Sequence, residues 1–168
     1  MNGWRDGLWS QFGAAIDMLE NAIDACPDAL WGDQTRPQPY GYMVYHTLFW
    51  LDLYLSDSPD GFTPPAPFTL GELEDGVLPD RVYSKDELRS YLEHGREKCR
   101  RYIAGLTEAA ADRDLTFWSA RRNTIENLLY NLRHVQHHTA QLNLILRQTN
   151  HPVPRWVSKA KSALADRG

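Results

Sequence analysis

The segment NLRHVQHHTAQLN, Asn131 to Asn143, places three of the chain's six histidines within five positions. It lies in a longer run from Asn123 to Gln148. There Ile125, Leu128, Leu129, Leu132, Val135, Leu142, Ile145 and Leu146 recur at three- and four-residue steps, which predicts an amphipathic helix. The run opens NTIE, where Asn123 and Glu126 have the spacing of a capping pair. At about 100° per residue, with His134 at zero, His138 falls at about +40° and His137 at about −60°. Leu128, Leu132, Val135, Leu142 and Leu146 gather between about +80° and +160°. His138 therefore borders the core stripe, His134 stands just beyond it, and His137 points farthest away. Residues four apart stack on one helix face, so His134 and His138 can reach a common ion. On spacing alone, two half-buried imidazoles bonded to backbone or water are the favoured reading of the pair. It lacks the intervening Glu of the metalloprotease motif.

A fourth histidine adds weight to the first reading. His46 sits in YGYMVYHTLFWLDLYLS, Tyr40 to Ser56, a predicted helix that is apolar nearly all round. An imidazole buried there costs free energy unless something bonds it. A metal ion shared with His134 and His138 would be such a partner if the two helices are neighbours. Three neutral imidazoles also leave an open coordination position, as catalytic zinc sites do.

Two more helices complete the pattern. The first spans about Trp4 to Ala25, with Trp4, Leu8, Trp9, Phe12, Ile16, Leu19 and Ile23 on its apolar face, and Pro27 closes it. The other opens SKDE, where Ser84 and Glu87 have capping-box spacing, and runs to Leu106. Between Ser58 and Tyr83, five prolines and three glycines predict a long ordered loop of the kind that lids or lines a site. Residues 107–122 read as a second connector, and the tail after Gln148 as a turn with a short, weakly helical end. No strand or internal repeat is evident. The expectation is all-α: a four-helix bundle with long connectors, one domain over residues 1–168.

Composition narrows the function. Of 168 residues, 42% are hydrophobic and 24% charged, as in a soluble globular domain, and six Trp and eight Tyr supply large side chains for a core or a pocket. A net charge of −4, without a basic run, argues against nucleic-acid binding. The apolar window Tyr40 to Leu55 is shorter than the roughly 20 residues of a membrane span. No signal peptide is evident, and cytoplasmic localisation is the expectation. Cys26 and Cys99 read as reduced, partly buried thiols, with no histidine set beside either. Asp52 and Glu126 are expected at the surface, His94 in a solvated position and His151 in a turn after the last long helix.

With these residues laid out, the chain resembles the DinB-like family, the DinB/YfiT-like metalloenzymes. The likeness rests on His46 in YMVYHTLFWLDLYL and on His134 and His138 in NLRHVQHHTAQL, where HVQHHTAQ matches a family pattern close to HxxHHRGQ. Thr139 and Ala140 stand where the family often has Arg-Gly, and Gln141 is retained. The resemblance implies His46, His134 and His138 as metal ligands, with His137 as an extra histidine that is not one. It also implies a bundle of non-standard helix order, often a homodimer, binding a divalent ion such as zinc or nickel. Characterised relatives include thiol-dependent S-transferases and a mycothiol-dependent isomerase. The functional expectation is a metal-dependent S-transferase acting on a small-molecule substrate with a low-molecular-weight thiol. The alternatives are a metal-dependent hydrolase and a non-catalytic dimeric binding or stress-response bundle.

Overall fold

The computed structural model describes residues 3–74 and 78–164. Residues 75–77 of the expected Pro-rich loop, and both ends of the expected 1–168 domain, lie outside them. Four long helices dominate: α1 (Gly3–Ala25), α3 (Tyr40–Tyr54), α4 (Lys85–Gly105) and α6 (Thr124–Gln148). Two single-turn helices, α2 (Asp28–Trp31) and α5 (Glu108–Ala111), occupy the connectors. The all-α expectation holds. Helices α1 and α3 each pack against both α4 and α6, so α1 and α3 lie diagonally across the core.

Local chemistry places the ends as anticipated. Ser84 and Glu87 form the full reciprocal capping box at the start of α4. Asn123 caps α6 by accepting from the Glu126 amide at 2.8 Å. Helix α3 buries Val44, Leu48, Phe49 and Leu51 on several sides because α4 and α6 flank it and the loop covers much of the rest. Phe62 and Phe68 anchor that loop: Phe62 packs edge-on against Phe49, and Phe68 stacks on Tyr91 at 4.3 Å.

Three features depart from expectation. An antiparallel hairpin, β1 (Asp114–Phe117) and β2 (Ala120–Asn123), lies inside the second connector. Its strands are four residues each, and only Leu115 and Phe117 turn inward, too short a pattern to register as alternation. The tail is an extended strap rather than a helical end: among the described residues no helix follows Gln148. Pro152 and Pro154 remove helical donors. The strap instead bonds to α1, Ala160 N donating to Ser10 O at 2.8 Å and Lys161 N to Asp17 Oδ2 at 2.7 Å. Finally, Leu129 is 48% exposed rather than in the core.

The inner face of α6 also holds polar residues. Asn127 and Asn131 are buried and donate to carbonyls at the C-terminal end of α3: Asn127 Nδ2 to Tyr54 O at 2.8 Å and Asn131 Nδ2 to Leu51 O at 3.0 Å. These are among the last four carbonyls of α3, which have no partner inside the helix. Backbone amides of Leu55 and Ser56, together with Lys98 Nζ, serve the two between them. The amides thus fix the register of α6 against α3. Asn131→Leu is expected to cost about 1–3 kcal/mol by leaving the Leu51 carbonyl buried and unpaired; an unchanged denaturation midpoint would contradict that role.

Candidate metal centre

Asn127, Asn131, His134 and His138 are spaced 4, 3 and 4 residues apart, so they form one stripe along α6. The first two grip the end of α3, and the stripe continues antiparallel to that helix until the histidines meet His46. The structure therefore brings together the three histidines singled out from sequence. Their ring centroids lie 4.5–5.3 Å apart. One nitrogen from each falls within 4.8 Å of the other two. His137 is exposed on the outer face of α6 and does not join them.

The hydrogen bonds indicate which nitrogens face inward. His46 Nδ1 stands 2.5 Å from Glu72 Oε1, and His138 Nδ1 stands 2.8 Å from Gln141 Oε1. Each Nδ1–H donates to its oxygen, which leaves Nε2 as the lone-pair atom. His46 Nε2 and His134 Nε2 lie 3.3 Å apart. Two imidazole nitrogens each about 2.0 Å from one tetrahedral ion would be separated by about that distance. Burial pushes His134 down to about 3 and His138 down to about 4, with the neighbouring histidines adding to both shifts. Both rings are therefore neutral at neutral pH, the form that ligates a cation. His134 Nδ1 is buried without a partner. The donor set fits a divalent ion with room for a further ligand.

Glu72 was not found by sequence reading. It sits on a 3-10 turn, Leu70–Leu73, within the Pro-rich loop, and Thr69 caps that turn through Gly71 N. Its side chain is only 4% exposed. Besides the His46 contact, Oε1 accepts from Tyr42 Oη and Trp50 Nε1, both at 3.4 Å. Burial, with Glu72 beside it, raises the Tyr42 phenol to about 12, so it remains a donor. Nothing in local spacing marks Glu72, because the 26 residues separating it from His46 are bridged only by the folded loop.

Other candidates separate cleanly. Asp52 is not at the surface: it is 1% exposed, where Tyr91 Oη donates at 3.2 Å and Lys98 Nζ at 2.5 Å. A helix covered on most sides has little solvent face to offer an acid, so Asp52 is paired instead. His94 is partly solvated, with Nε2 3.4 Å from Asp52 Oδ1. Glu126 is exposed, as expected. Cys26 and Cys99 are free and buried; burial raises the Cys26 thiol to about 12 and Cys99 well above its ordinary value. Neither is primed as a nucleophile.

A model of the DinB superfamily matches residues 11–142, which includes all three histidines and Glu72. The chain belongs to the DinB superfamily. No curated protein matches it. Among solved structures, it is similar to a DinB-like protein, YjoA, from Bacillus subtilis, at 14% identity and a TM-score of 0.65, over 90% of this chain and 97% of that one. That likeness is one of fold. Within this DinB-superfamily chain, Glu72 and Gln141 supply the oxygens that orient the His46 and His138 rings. Removing such an outer partner typically weakens metal binding by about 10–100-fold. Glu72→Gln is therefore expected to weaken zinc binding by about that factor. Competition with a chromogenic chelator measures it, and an unchanged affinity would show that His46 needs no carboxylate.

Proposed function

We propose that this DinB-superfamily protein is a divalent-metal-dependent enzyme, with His46, His134 and His138 as ligands to zinc or nickel, and that it transfers a thiol to a small-molecule electrophile. The observation that supports the reading is the convergence of three imidazoles from α3 and α6 within 4.8 Å, with no fourth histidine, cysteine or carboxylate in the group among the described residues. A structural zinc takes four protein ligands, whereas a catalytic one keeps a position open. When bound there, the ion supplies a Lewis acid that lowers the pKa of the thiol completing its coordination.

The protein's own residues hold that chemistry in place. His46 is turned by Glu72, whose negative charge also balances a bound cation, and His138 is turned by Gln141. Trp50 and Tyr54 flank the rings of His46 and His134 at centroid distances of 6.2 and 6.3 Å. Burial and Tyr130 hold the Tyr54 phenol well above its usual range, so it stays a neutral donor beside the site.

Purified protein is expected to carry one divalent ion per chain by elemental analysis. His46→Ala and His134→Ala should each lose it while circular dichroism stays helical. A panel of low-molecular-weight thiols with a chromogenic electrophile should turn over only in the metal-loaded protein. Metal content unchanged in both variants would sink the site; metal-dependent ester cleavage without thiol would reassign the same centre to hydrolysis.

A further inference from the structure

Beside the three histidines, aromatic rings continue outward in one connected series. Trp50 lies 5.4 Å from Tyr54 and 5.7 Å from Trp118, and Tyr54 lies 5.2 Å from Tyr130. Such a series could be only core, but its outer end is not buried. Trp118, at the tip of the β1–β2 hairpin, is 56% exposed. Its φ of 53° is the left-handed conformation that bulky residues avoid. Trp50, Tyr54 and Tyr130 are half-buried.

Charge follows the same surface. The Arg122 guanidinium, from strand β2, stacks on the Tyr130 ring at 4.0 Å. Tyr130 and Arg133 bound, with His134 and His137, an open depression of about 540 Å³ on α6. The neighbouring arginines Arg113 and Arg121 are paired, to Asp57 and Asp114. Among the described residues, Arg122 and Arg133 have no acidic partner, although Glu126 is one turn before Tyr130 and the chain is acidic overall. An unpaired guanidinium near a rim whose outer ring, Trp118, is exposed suits a planar anion: the rings take its face and the guanidinium takes its acid group.

We infer that the surface beside His134 and Trp50 binds a small aromatic carboxylate, its ring stacked against Trp118 and Trp50 and its acid group toward Arg122, which Tyr130 holds in place, and the metal position. The inference rests on the proposed metal site for the inner end of the ligand. The rim of rings and Arg122 is independent of it.

The probe is 2-naphthoate, titrated calorimetrically into zinc-loaded and chelator-treated protein. The comparators are 2-naphthalenemethanol, which keeps the ring without the charge, and acetate, which keeps the charge without the ring. Naphthoate is expected to bind at least about tenfold more tightly than either comparator. Trp118→Ala and Arg122→Gln should each weaken it by about tenfold without altering zinc content or helicity. Chelated protein should bind more weakly yet keep the same dependence on Trp118 and Arg122. Naphthoate binding no better than both comparators, or equal in the wild type and both variants, overturns the inference even if zinc is bound. Protein that takes up no zinc would refute the metal reading, while the ranking of probes in metal-free protein would still decide this one.

Discussion

The site depends on two side-chain amides near the N-terminal end of α6, just ahead of the histidine pair. Asn127 and Asn131 reach the Tyr54 and Leu51 carbonyls, which α3 cannot satisfy itself. An apolar contact between the same helices would tolerate a slide along the axis, because leucine packing is approximate at the scale of a methylene. A hydrogen bond from a buried amide tolerates little error in distance or angle. Two such bonds therefore hold α6 at one height against α3, and His134 then faces His46 one to two turns further along. Counted from His134, Asn127 lies at about +20° and Asn131 at about +60°, so all four residues share a strip about 60° wide.

That strip explains how a polar cluster survives in an apolar bundle. Burial disfavours charge on His134 and His138, and their shifts run in that direction. Neutral rings still need partners. Glu72 and Gln141 satisfy one nitrogen each on His46 and His138, and these same bonds direct the remaining nitrogens inward. An ion among the three would stabilise what is otherwise an awkward meeting of lone pairs. Glu72 would bring a negative charge to a site otherwise built of imidazoles.

The walls come from the segments between the long helices. The Pro-rich loop carries Glu72 under a canopy pinned by Phe62 and Phe68, and the hairpin presents Trp118 beside Trp50. Rigid helices thus carry the three imidazoles, while connectors wall them, the usual division between scaffold and loops.

Much of this was legible in the residues alone. The long helices follow from three- and four-residue spacing, and the cap of α4 from Ser84 and Glu87, because helical periodicity and capping act over a turn or two of chain. His134 and His138 were separable from His137 by angle, since a helix fixes where each position points, and His46 stood out by its apolar surroundings. The partnership of Glu72 with His46, the burial of Asp52 against Tyr91 and Lys98, and the strap on α1 were not legible. Each joins groups 26 or more residues apart through space that only the packed chain defines. The sequence by itself determined the helices and the faces they carry; tertiary structure alone decided which faces meet, because register between helices is set by contacts with no periodic trace along the chain.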